Sequence, residues 1–364
     1  MKKYWIPAAI FIAFAGLYIG YSAYKNTRFL YRPVWDVAQY VDISERGYDA
    51  HPCTPTDYPP GRICGNVGWY PLWPLLIAAF RPLAGGSSQS AYLILSFLFS
   101  FLGLIFLFRF MDRKFGTIPA TLTLASLVLG PASFYFLSGF PYALILFLFS
   151  FYMILLYFVK GPTREIGLFF TALAISLSYP SAMLFAIIPA VLQISDGKPL
   201  VRNLRDYHFW LKLAKFTIPF ILGPLLLWSY FYFRFDDFFL QLHFQEKYHR
   251  TAEIPFVTIF KSLTRYPIFS PENGVILWYG LILLLFIPYG IGAELWLTAI
   301  VLYLFSLSTG TTLSIYRHYL IIFPAYMIIG ASRRPLWFRI LFILLGLLLA
   351  VLIMFPGFIS NRLI

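Results

Sequence analysis

MKKYWIPAAIFIAFAGLYIGYSAY, residues 1–24, sets two lysines ahead of an unbroken apolar run of roughly twenty residues, the length an α-helix needs to cross a bilayer. It has no clear small-x-small cleavage site, so it reads as a retained first helix and not as a removable signal. The rest of the chain has the same character. Of its 364 residues, 60% are hydrophobic, 21% aromatic and only 12% charged, and its mean hydropathy is +0.75. A soluble domain needs many more charges to clothe its surface, so the fold class is an all-α polytopic membrane protein.

Further apolar runs predict spans near 91–108, 117–134, 141–159, 166–179, 181–194, 216–233, 275–289, 292–308, 318–331 and 337–355, giving about ten or eleven helices with the first at 5–24. The net charge of +13 comes from 28 basic and 15 acidic residues. In a membrane protein such an excess belongs in cytoplasmic loops and does not call for nucleic acid. Threading from Lys2 and Lys3 puts Arg109, Arg113 and Lys114, then Lys160 and Arg164, then the basic segment 195–215, and last Arg333, Arg334 and Arg339 on the inside.

Segments 25–90, 234–274 and 309–317 then fall outside, where ten of the fifteen acidic residues collect. Four of them, Asp36, Asp42, Glu45 and Asp49, lie in RPVWDVAQYVDISERGYDAHPC, residues 32–53. Pro33 suits a helical first turn, Asp36 complements the helix dipole and Gly47 supplies a stop. Val34, Val37 and Val41 make an apolar stripe, so the first outer loop begins with an amphipathic helix at the membrane interface. Helix logic leaves two readings of Asp36 open: a dipole-complementing anion, or a carboxylate offered for chemistry. Downstream, NVGWYPLWPLLIAAFRPLAGG (66–86) is too short to cross and reads either as a re-entrant element or as a short helix before the second span. Cys53 and Cys64, the two cysteines, are close enough in sequence to close a small loop by a disulfide, which persists in an oxidising compartment; two free thiols is the other reading.

The order R-x-x-W-D-x-x-x-Y-x-x-I-x-x-x-G-Y at 32–48, followed by N-x-x-W-Y-P-L-W-P-L-L at 66–76, resembles the start of the PIG-V family. These are polytopic GT-C mannosyltransferases of glycosylphosphatidylinositol assembly, with prokaryotic relatives. FDDFFLQLHFQEKYHRTAEIP (235–255) and LSIYRHYLIIFPAYMIIG (313–330) are similar to later segments of that family. The chain departs from it at Tyr142, where a glutamate is frequent, at LSYPSAM, which lacks a frequent arginine, and at His318, where tyrosine is commoner.

The resemblance implies a single GT-C transmembrane domain over 1–364 that moves a sugar, mannose in the family, from a polyprenyl-phosphate donor to an acceptor hydroxyl on the outer face of a cell membrane. Asp36 would be the general base of an inverting single displacement. Arg317, His318 and Arg32 would hold the donor phosphate, with Arg28 competing. Trp35, Tyr40, Gln245 and Lys247 would contact sugar or acceptor, as could Tyr248 and His249, and the remaining acids would be structural or shape the acceptor site. The other reading of Trp35 and Tyr40 is as interfacial anchors, and of the arginines as snorkelling groups.

No cofactor is required, since the lipid-phosphate sugar is a substrate; no metal ligand set is assigned, although the acidic face could hold a divalent ion. Partners would be membrane lipids, the polyprenyl- or dolichyl-phosphate donor, a glycolipid or glycan acceptor and a small membrane subunit. There is no phosphate-cradling G-x-x-x-x-G-K-[ST] loop, zinc spacing or dinucleotide loop. Two rival readings are a transporter or lipid flippase, for which Glu294 is the main charge inside a span, and a scaffold without chemistry.

Overall fold

The computed structural model describes residues 3, 5–27, 30, 35–54, 61–195, 205–248, 250–286 and 291–360. Arg28, Arg32, Val34, Asp57 and His249 lie outside them. The helices are α1 (Ile6–Tyr24), α2 (Asp36–Arg46), α3 (Leu72–Phe80), α4 (Ser88–Phe115), α5 (Thr117–Val128), α6 (Tyr142–Phe158), α7 (Pro162–Ser176) and α8 (Ile187–Ile194). Then come α9 (Tyr207–Phe235), α10 (Leu240–Gln245), α11 (Pro255–Arg265), α12 (Pro271–Leu285), α13 (Ala293–Leu307), α14 (Ile315–Tyr319), α15 (Phe323–Ala331), α16 (Leu336–Leu349) and α17 (Phe355–Ile359). Two three-residue strands, β1 (Ala50–Pro52) and β2 (Ile63–Gly65), pair antiparallel.

Among the described residues four helical stretches are long and apolar enough to cross a membrane alone: α1, α4, α9 and the continuous run Leu336–Ile359. The protein is therefore an all-α membrane protein. The 28 residues of α4 extend about 42 Å, beyond a hydrocarbon core of about 30 Å. Ser87 caps α4 by accepting from the Ser90 N–H at 3.2 Å, and Gly116 at φ +96° ends it.

Other expected spans are broken or shortened. The one expected over 318–331 is two pieces, the single turn α14 and then α15, because Pro324 has no N–H to give and restricts the residue before it. The one expected over 181–194 begins as a 3-10 turn, Pro180–Ala186, before α8. The 9-residue α3 and its following 3-10 turn are too short to cross.

Around α4 pack α5, α6 and α1, with α15 against α5 and α9 against α7. The α7–α9 crossing depends on Gly223, where a Cβ would lie 2.2 Å from the Ser176 hydroxyl oxygen. At one end of this bundle basic side chains tie helix ends together. Lys3 meets Asp112 at 2.6 Å, Lys215 meets Glu165 at 2.5 Å, Arg334 donates to the Leu285 carbonyl, and Arg339 donates to the Gly330 carbonyl. Glu294 also belongs here, in the first turn of α13, accepting from the Tyr157 hydroxyl at 2.6 Å with Lys114 Nζ at 3.6 Å. The opposite, acidic end carries α2, the β1–β2 hairpin, α10 and α14.

Candidate active site

At the acidic end α2 begins after Trp35, whose φ of +49° is strained for a non-glycine residue. Val37, Tyr40 and Ile43 are its buried face, and Val41 is half-buried and packed against the same core, so Val37 and Val41 of the expected stripe do point inward and the Tyr40 ring widens that face. The other acids of this segment have partners within the chain. Asp42 pairs with Arg46 and accepts from Asn66 at 2.7 Å, Glu45 accepts from Ser88 at 2.7 Å, and Asp49 pairs with His51 at 2.8 Å. Asn66, fully buried, also holds the Asp49 N–H and the Gly47 carbonyl, which closes the loop after α2.

Asp36 does something different. In the first turn of α2, its Oδ2 lies 2.8 Å from Nη1 of Arg317 on α14. The approach is off the N–H direction, so charge more than a directed hydrogen bond holds the pair, while Arg317 Nη2 donates to Ser314 at 2.6 Å. Oδ1 of Asp36 has no hydrogen-bond partner among the described residues, and its side chain is 26% exposed. Among the described residues the carboxylate is thus clamped on one oxygen only.

Asp36 lines a cavity of about 730 Å³. One wall comes from α2 and the 68–70 loop, a second from 179–181, a third from α10 and the segment through Ala252, and a fourth from α14. Gly68 allows the first and third walls to meet, since a Cβ there would sit 2.5 Å from the Phe244 ring. The Tyr48 hydroxyl donates to the Trp69 carbonyl at 2.7 Å, and Arg62 reaches Glu246 at 2.6 Å across the rim. Cys64 in β2 is joined by a disulfide to Cys53, directly after β1.

Behind Arg317, His318 Nδ1 bonds the Tyr179 hydroxyl and its Nε2 meets Arg250 Nη2 at 3.3 Å. Arg250 Nη1 donates to the Gln245 amide oxygen at 2.9 Å, and the Tyr142 hydroxyl donates to Tyr179 at 3.4 Å. Position 142, where the resemblance looks for a glutamate, is therefore filled by a neutral hydroxyl. The turn at 177–183, where it looks for an arginine, is reached by Arg250 through His318.

Of the residues singled out from sequence, Asp36, Trp35, Tyr40, Gln245, Tyr248, Arg317 and His318 all line the cavity. Lys247 does not: the helical twist of 246–248 turns it away, and its ammonium lies 3.8 Å above the Phe244 ring. Arg32, Arg28 and His249 lie outside the described residues. Sequence reasoning passed over Tyr179 and Arg250. Arg250 stood in a quoted segment, and a lone arginine beside an aromatic and polar run was the available signal.

No protein-family model matches the sequence, and neither does any curated protein. Among solved structures, the chain is similar to ArnT from Cupriavidus metallidurans bound to undecaprenyl phosphate, at 14% identity and a TM-score of 0.48, over 74% of this chain and 51% of that one. It is also similar to the Archaeoglobus fulgidus oligosaccharyltransferase tethered to an acceptor peptide, at 11% identity and a TM-score of 0.45, over 89% and 50%. The chain spans about half the length of each.

Proposed function

We propose that this protein is an integral-membrane glycosyltransferase of the GT-C type. It moves a sugar, mannose on the strength of the sequence resemblance, from a polyprenyl-phosphate donor to an acceptor hydroxyl at the acidic end of the bundle. The observation that supports this reading is Asp36: one oxygen held by Arg317, the other without a hydrogen-bond partner among the described residues, on the wall of a cavity that carries two guanidiniums.

In the reaction the acceptor hydroxyl loses its proton to Asp36 Oδ1 as its oxygen bonds the anomeric carbon and the bond from that carbon to phosphate breaks. Such base assistance is worth about 10²–10⁴ in rate. The departing phosphate is a stable anion, so no second carboxylate has to act as an acid and no further cofactor is needed. Trp35 and Gln245 line the space where sugar and acceptor would meet.

A transporter reading draws no support from Glu294, which is held by Tyr157 and Lys114 in a helix first turn at the basic end. The test is sugar transfer by the purified protein in lipid vesicles, supplied in turn with polyprenyl-phosphate mannose, polyprenyl-phosphate glucose and a nucleotide sugar. Transfer from a polyprenyl-phosphate donor supports the reading, and transfer from the nucleotide sugar alone contradicts it.

A further inference from the structure

The charges on the cavity wall do not balance among the described residues. Asp36 answers Arg317, and Glu246 is taken by Arg62. Arg250 is left with two neutral partners, Gln245 and His318, and its buried Nε has no acceptor. Burial works against its charge, chiefly by desolvation, yet a guanidinium does not give up its proton. Among the described residues the carboxylate that acts on its charge is Asp36, which is already paired with Arg317, so a desolvated cation shares one anion with a second guanidinium and an arriving anion relieves that cost.

His318 cannot be that anion, nor a competing cation. A guanidinium only donates, so Nε2 of His318 must accept from Arg250, which places the ring proton on Nδ1 and leaves the imidazole neutral. Nδ1–H then donates to the Tyr179 oxygen, which also accepts from Tyr142. The Tyr179 hydroxyl proton is left to donate into the cavity that this residue lines.

We propose that Arg250, together with the Tyr179 hydroxyl, seats the donor's phosphodiester, while Arg317 stays with Asp36 as the group that positions the base. This rests on the glycosyltransferase reading above and divides the labour between the two arginines. The electrostatics balance through the step. Before transfer the two guanidiniums face the Asp36 carboxylate and a phosphodiester monoanion. As the anomeric C–O bond to phosphate breaks, its electron pair stays on phosphate; the proton lost by the acceptor neutralises Asp36. Afterwards the same two guanidiniums face a phosphate monoester dianion and a neutral acid. Arg317 is then free to turn toward the product as Arg250 holds it.

The experiment is donor-dependent kinetics in vesicles combined with thermal shifts in farnesyl phosphate and, as control, farnesol. Arg250→Met should raise the donor KM about 10- to 100-fold with a smaller change in kcat, and Arg250→Lys should recover part of it. Arg317→Met should instead lower kcat, with donor KM within about threefold of wild type. Farnesyl phosphate should stabilise wild type and Arg317→Met but not Arg250→Met, and farnesol none of them. Tyr179→Phe, which keeps the packing, should raise KM severalfold and serves if Arg250→Met does not fold.

A wild-type KM and an intact farnesyl phosphate shift in Arg250→Met, or a shift lost only in Arg317→Met, overturns the assignment. If wild type transfers no sugar while the phosphate shift still depends on Arg250, the anion seat stands and the glycosyltransferase reading falls.

Discussion

Asp36 at the start of α2 and Arg317 on α14 form an ion pair at 2.8 Å that joins the first loop of the chain to one of its last helices. Arg317 is almost wholly buried, at 7% exposed, so the pair closes the acidic end as well as furnishing the cavity. Removing one partner strands the other charge, whereas removing both leaves only a packing defect. Arg317→Met alone should cost about 1–3 kcal/mol of stability. The Asp36→Asn, Arg317→Met double variant should recover much of that in thermal unfolding in detergent. Losses that simply add would show the two groups are not coupled.

The disulfide holds the hairpin whose Arg62 reaches across the cavity rim to Glu246. Closing a loop of this size is worth about 3 kcal/mol in the chain-entropy account. Reduction, or replacement of both cysteines by serine, should expose the hairpin to limited proteolysis and lower transfer severalfold. Unchanged cleavage and unchanged transfer would show that the β1–β2 ladder suffices.

Lys247 gives a pH dependence. Desolvation pulls its pKa down to about 8, from an ordinary lysine value well above that. Between the two values the unfolded chain holds a proton that the folded chain has given up, so its contribution to stability rises with pH across that window. Below about pH 8 both states are protonated and the contribution is flat. Comparison of melting temperatures from pH 7 to 10 should show Lys247→Met more stable than wild type at pH 7, the gap narrowing as pH rises. A constant gap would contradict the shift.

Much of this fold was legible in the chain because lipid imposes simple rules on sequence. The long apolar runs of α1, α4 and α9, and the basic residues that tie one end of the bundle, follow from hydropathy and charge alone. What composition could not show was where spans break. Residues 318–331 look like one apolar run, yet Pro324 splits the segment and leaves Arg317 and His318 on a separate turn at the cavity. The inward face of α2 was legible through Val37 and Val41, and what a count of aliphatic residues undervalues there is Tyr40, which is fully buried. Asp36, Arg317 and His318 could be picked out in sequence through a motif and a resemblance. Arg250 and Tyr179 could not, since their importance arises from a relay through His318 that links three segments far apart in the chain.

The central claim is that Asp36 takes the acceptor's proton. The most direct test is transfer of radiolabelled mannose from polyprenyl-phosphate mannose by wild type and Asp36→Asn, each purified, shown to be folded and reconstituted in native lipid. The amide keeps the shape but cannot serve as the base, so the account predicts that transfer falls by about 10²–10⁴ while farnesyl phosphate still binds. Equal transfer by the two proteins would contradict it.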